Sequence, residues 1–227
     1  MKTMAAVLAG AMLMMGMATA AQAIPTLTLS LSDGTNTVTV LDNGAGDFNP
    51  LIGSIGYLDV AGFEVWSSFE VNSGISKPNI QNSSLLSLMD LHFNGTSKGA
   101  GTFTLTLTDT GFDLNTLNVS PNTQANLQIG GTSTALGSVK FDAYYNTDFI
   151  ASTLSTGSPF AETATVWLDT VNTYGLTEVL TITHTRAGIT TGDATLALTP
   201  VPEPGTMMLL GAGFLGLAIY GKRRKNA

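Results

Sequence analysis

The sequence predicts an all-β body, a two-sheet antiparallel sandwich with jelly-roll-like winding, flanked by an apolar helix at each end of the chain. Three observations predict it. Apolar residues alternate with threonine and serine at period two through most of the chain. Clusters of Gly, Asp, Asn and Pro punctuate the alternation at short intervals. Between residues 24 and 200 no stretch keeps a helical period, and no fixed-period repeat suggests a solenoid.

Taken in order, the chain opens on Lys2, an apolar run over residues 4–17, and Ala21 and Ala23 as a small-x-small pair. Positive start, short apolar core and small-residue site are the parts of a secretory signal peptide, so residues 1–23 are expected to be removed by signal peptidase after Ala23. Ile24 would then be the first mature residue; cleavage after Ala20 is the alternative.

The body follows, residues 24–200. Residues 27–32 and 37–40 alternate on either side of Asp33 and Gly34 and predict a hairpin. Residues 62–71 place Phe63, Val65, Phe69 and Val71 on one face, with Glu64, Glu70 and Trp66 on the other. Residues 85–93 predict a central strand, with a turn running from Asn94 and Gly95 to Gly101. Residues 102–108 give the clearest strand: Phe103, Leu105 and Leu107 inward, Thr102, Thr104, Thr106 and Thr108 outward, ended by Asp109, Thr110 and Gly111. Later strands are predicted at 125–129, 138–145, 161–168, 176–186 and 193–199. Glycines 130, 131, 157, 175 and 192 fall in the turn clusters between them. Roughly ten short strands favour a sandwich over a barrel, with Phe103, Leu105, Val166 and Leu180 in its core.

The chain closes on Pro202, Glu203 and Pro204, an uncharged run over residues 205–221, and the cations Lys222, Arg223, Arg224 and Lys225. Each proline fixes its own φ and pushes the preceding residue out of the helical region, so the motif is extended. As a helix the run would span roughly 25 Å against a hydrocarbon core of about 30 Å, a short transmembrane span. The terminal cations stay cytoplasmic as a stop-transfer signal and leave the body outside.

This order of motif, short span and basic end resembles the PEP-CTERM sorting signal of Gram-negative bacteria. The resemblance covers the tail, residues 201–227. It implies recognition of Pro202, Glu203 and Pro204 by exosortase, a multi-spanning membrane enzyme thought to act as a cysteine transpeptidase, and removal of the span and basic end. It also implies an inner-membrane precursor that passes to the cell surface or extracellular matrix, including biofilm matrix. Residues 177–184 look like the last strands of exported β-rich domains that carry this tail.

Composition narrows the function. The body holds four cations, Lys77, Lys98, Lys140 and Arg186, against fifteen acids. So acidic a surface argues against nucleic acid and anionic lipid as partners. Cysteine is absent, which removes disulfides, thiolate metal sites and cysteine catalysis.

Several groups invite a chemical reading. Asp42, Asn43, Asp47 and Asn49 form an oxygen-rich glycine loop of the kind that binds calcium weakly outside cells, with Asp42 and Asp47 as the carboxylate ligands. The EF-hand spacing and its terminal glutamate are missing, and a plain hairpin loop is the simpler reading. No other cofactor is expected. Asp90 and His92 share a strand face and would need His184 and a further ligand to hold a metal. Asp109, Thr110 and Gly111 match the retroviral-type aspartic protease triplet, which needs a second aspartate across a dyad. Asparagines 82, 94 and 118 match the glycosylation pattern, taken as chance in a bacterial chain. The reading these features favour is a structural or binding surface protein, not an enzyme, with extracellular polysaccharide as a candidate partner. The alternative is an extracellular hydrolase acting on polysaccharide or peptide, which requires two carboxylates facing an aromatic-lined groove near Trp66 or Trp167.

Overall fold

A computed structural model of the chain describes residues 27–59, 63–77, 87–113, 122–169, 173–200 and 208–217. These contain the strands β1 (Thr28–Ser32), β2 (Thr37–Leu41), β3 (Ser54–Asp59), β4 (Trp66–Ser76), β5 (Ser87–Ser97), β6 (Gly101–Asp113), β7 (Asn122–Ser133), β8 (Leu136–Tyr145), β9 (Asp148–Ser155), β10 (Phe160–Asp169), β11 (Thr173–His184) and β12 (Gly188–Pro200). Two antiparallel six-stranded sheets, ordered β2-β1-β6-β11-β8-β9 and β10-β7-β12-β5-β4-β3, pack as a sandwich. From β5 to β12 every connection except the β8–β9 hairpin crosses between the sheets. The hairpins β1–β2 and β3–β4 extend the two sheets on the same side, beside β6 and β5.

The alternation read from the sequence sets the faces. On β1, Leu29 and Leu31 point inward while Thr28, Ser30 and Ser32 point outward. On β6, Phe103, Leu105 and Leu107 are fully buried. Leu180 is buried as expected, whereas Val166 is only partly buried, because β10 is an edge strand whose inner face is incompletely covered. The two strands that the sequence did not announce, β3 and β9, are also edge strands. An edge strand needs less apolar material, so its alternation is weak; β9 buries only Thr153 deeply.

The turn expected at Asn94 and Gly95 is instead continuous strand. A Cβ on Gly95 would lie 2.5 Å from the Phe69 ring, so the glycine makes room for an aromatic side chain. Gly131 and Gly192 sit opposite each other within β7 and β12, where a Cβ on either would strike backbone carbonyl oxygens and the Phe160 ring. Three predicted breaks are therefore packing sites inside strands. The expected end of β6 at Asp109 is a kink: Gly111 takes φ +79°, and the pairing with β11 shifts register between Tyr174 and Leu176.

Trp66 also departs from its expected outward face. A register shift between Trp66 and Ser68 lets both Trp66 and Phe69 point inward although they are three residues apart. Their rings pack with Phe103, whose centroid lies 5.2 Å from Trp66 and 4.2 Å from Phe69.

Beyond the body, residues 208–217 form an exposed helix, α1. Among the described residues no helix is long and apolar enough to cross a membrane. The expected transmembrane helix at 205–221 is thus described only over α1. The signal peptide with Ala21 and Ala23, the motif Pro202, Glu203 and Pro204, and the basic end Lys222, Arg223, Arg224 and Lys225 lie outside the described residues.

Candidate ligand-binding face

The outer faces of the two sheets carry different chemistry. On the first sheet the threonines of β6 and β11 face each other and pair: Thr102 with Thr183 at 3.2 Å, Thr108 with Thr177 at 3.1 Å. The outward threonine row of β6 is thus a solvated strand surface whose hydroxyls bond across the ladder.

The second sheet differs. Its registers set Trp167, Gln124 and Thr199 in one row across β10, β7 and β12. Thr165, Asn126 and Ala197 form the next row. Thr163, Gln128, Thr195 and Asp90 follow, now reaching β5, and then Asp193 beside His92. From Trp167 to Ala161 along β10 this surface runs about 20 Å. Trp167 is 62% exposed. The polar side chains are ordered against one another: Thr165 donates to Asn126 Oδ1 at 3.0 Å, and Asn126 Nδ2 donates to Thr199 Oγ1 at 3.3 Å. Thr195 donates to Asp90 Oδ1 at 3.0 Å, and His92 Nδ1 meets Asp193 Oδ1 at 2.7 Å. The arrangement is a flat apolar ring at one end of a field of fixed amides, hydroxyls and carboxylates.

Asp90 and His92 do share a face, as their spacing implied, but His184 is not with them. It is buried between the sheets, its Nδ1 2.7 Å from Ser97 Oγ and its Nε2 2.5 Å from Thr190 Oγ1, with the Trp66 ring 4.6 Å away. Burial pushes its pKa down, favouring the neutral ring. Among the described residues no group of three or more His, Asp or Glu could hold a metal ion.

Asp42 and Asp47 are brought together by the loop after β2, where they act as acceptors for backbone. Asp42 Oδ2 takes the Gly53 amide at 2.7 Å and its Oδ1 takes Asn43 Nδ2 at 2.8 Å. Asp47 takes the amides of Asn43, Asn49 and Gly56 at 2.8, 2.8 and 2.9 Å. Burial raises the Asp42 pKa against the opposing help of the Gly53 amide. Asp109 is buried and forms an ion pair with Lys77 at 2.9 Å. Of the two tryptophans offered as groove walls, Trp66 is inside and Trp167 alone is on the surface. The inward set of Ala164, Val166 and Leu168 already implied an outward Trp167; its partners on β7 and β12 depend on long-range register, which local pattern does not encode.

Comparison with known proteins gives one match in the tail. The family model of the PEP-CTERM protein-sorting motif matches residues 200–225. The chain carries that sorting signal, which marks an exported protein and implies processing by exosortase. No curated protein matches the chain. Among solved structures it is similar to TmCBM61 in complex with β-1,4-galactotriose, at 8% identity and TM-score 0.34, over 57% of this chain and 86% of that one. It is also similar to a family 11 carbohydrate-binding module from Clostridium thermocellum, at 9% identity and TM-score 0.30, over 78% and 98%. A third is the exo-1,3/1,4-β-glucanase ExoP from a Pseudoalteromonas species, at 14% identity and TM-score 0.36, over 80% of this chain and 20% of that one.

Proposed function

We propose that this chain is an exosortase-processed protein of the cell surface or extracellular matrix, whose jelly-roll body binds polysaccharide through the outer face of β10, β7, β12 and β5. On this reading signal peptidase removes residues 1–23, and the run 205–221 holds the precursor in the inner membrane with Lys222, Arg223, Arg224 and Lys225 on the cytoplasmic side. Exosortase then reads Pro202, Glu203 and Pro204. The sorting motif supports the route.

The observation that carries the binding reading is Trp167, a large ring left 62% exposed beside an ordered row of amides and hydroxyls. A sugar ring has apolar C–H faces and a polar hydroxyl rim. Trp167 offers surface for the first, and Gln124, Asn126 and Thr165 offer donors and acceptors for the second. The body's acidity also suits a neutral glycan better than a polyanion.

Affinity electrophoresis of the purified protein through gels containing neutral polysaccharides tests this. We expect Trp167→Ala to weaken binding by about tenfold or more, the loss typical of an exposed aromatic anchor. Thr104→Ala on the opposite sheet should leave binding unchanged. Equal retardation of wild type and Trp167→Ala, or no retardation of either, overturns the reading.

A further inference from the structure

Lys77 and Asp109 meet inside the sandwich at the end opposite Trp66. Lys77 follows β4 in the second sheet; Asp109 lies in β6 of the first. The Lys77 Nζ stands 2.9 Å from Asp109 Oδ2, with the lysine side chain 10% exposed and the aspartate side chain fully buried. The same ammonium donates to the Thr110 carbonyl oxygen and lies 5.2 Å from the centre of the Phe112 ring. Phe112 in turn stacks on Tyr174 at 5.7 Å, which walls this end with aromatic surface. Gly111 sits beside the contact: its φ of +79° disfavours any other residue, and a Cβ there would lie 3.7 Å from Nζ, in ordinary van der Waals contact.

We propose that Lys77 and Asp109 condense to an amide, an intramolecular isopeptide bond that joins the two sheets. The amine nitrogen and the carboxyl group are held in contact in a fixed orientation, which replaces a bimolecular encounter by a local one. Proton transfer across the contact supplies the neutral amine and neutral acid from which an amide can form. The nitrogen lone pair of Lys77 attacks Asp109 Cγ, forming the C–N bond. One carboxyl oxygen leaves with two protons as water, and both original charges disappear. Atoms and charge balance without oxidant, reductant or co-reactant. Asp42 is the neighbouring carboxyl that feels the Asp109 charge.

Two further facts fit. The chain has no cysteine, so an exported protein that needs a covalent tie between its sheets must make it another way. Lys140 and Asp142 approach equally closely, at 2.7 Å, but that lysine is 47% exposed and both groups sit on one strand. Water there keeps the Lys140 ammonium solvated and opposes condensation, and a bond would tie nothing together.

Peptide mapping by mass spectrometry, after denaturing digestion of the purified full chain, tests the proposal. The expected result is a pair of peptides, one containing Lys77 and one containing Asp109, joined and lighter by one water than their sum. Lys77→Arg, which keeps the cation but not the nucleophilic amine, should yield only separate peptides, and so should Asp109→Ala. Separate, unmodified peptides from the wild-type protein overturn the proposal. So does a water loss that persists in Lys77→Arg.

Discussion

Two acidic side chains point into the same core from neighbouring strands, and their situations are opposite. Asp109 on β6 stands across from Leu176, and Glu178 on β11 stands across from Leu107, one row deeper. Both are fully buried. Asp109 meets Lys77 from the other sheet. Glu178 has no hydrogen-bond partner on either oxygen and stands opposite Leu107 and Ala143. Burial pushes its pKa well above the ordinary glutamate range, and the Asp90 charge adds to that. The lesson is that depth alone does not decide the state of a buried carboxyl. A lysine stem long enough to cross between the sheets gives one buried carboxyl a basic partner, and where none reaches, burial raises the carboxyl's pKa.

Removing the cation is the largest perturbation. Lys77→Met keeps the stem's volume but leaves Asp109 buried without its partner, and should cost about 3–5 kcal/mol of folding stability in urea melts. A loss below about 1 kcal/mol would show that the two carboxyls are more alike than the ion pair suggests.

Glu178→Met goes the other way. It replaces an unsatisfied polar group by an apolar one of similar length, and should stabilise by about 1–3 kcal/mol. The same variant isolates a pH effect. The folded-state pKa of Glu178 is raised above 4.5, so its contribution is fully present below that pH. As pH rises, the unfolded chain releases this proton first, and stability falls until the raised value is reached. Subtracting the Glu178→Met stability profile from wild type should reveal that fall; a flat difference between pH 4 and 9 would contradict the assignment.

How far the sequence could show this follows from what each feature depends on. Glu178 shares its parity with Leu176, Leu180 and Ile182, so alternation alone places it inside. The strands β1 and β6 and the sandwich class were legible for the same reason. Asp109 looked like a turn because Thr110 and Gly111 follow it, and what keeps the strand going is its pairing with β11. Gly95, Gly131 and Gly192 looked like breaks because their purpose, room for Phe69 and Phe160, belongs to residues far away in the chain. Trp66 was placed on the wrong face because a one-residue bulge inverts period two. Trp167 was legible as an outward ring, but the row it shares with Gln124 and Thr199 was not. Local chemistry is written in adjacent residues; register and bulges are settled between strands.

Asp42 supplies a third case and the smallest expected effect. It is buried like Asp109 but balanced by neutral donors, the Gly53 amide and the Asn43 side chain. Calcium bound with Asp47 would give it a cation from solution, in the role that Lys77 plays for Asp109. The donors already in place fix the loop's shape and use part of each carboxylate's capacity, so the site would be weak, with a Kd of about 1 mM as in other extracellular sites. At a few times that concentration, binding only the folded state adds about 1 kcal/mol. For a chain of this size that is a rise in Tm of about 2–4 °C, measurable by differential scanning fluorimetry. Asp42→Asn with Asp47→Asn should abolish the rise, since the amides retain hydrogen bonding but not charge. An unchanged Tm in wild type, or the same rise in the double variant, would mean that this loop is held by its own N–H groups alone, and that among the three carboxyls only Asp109 is met by a lysine side chain.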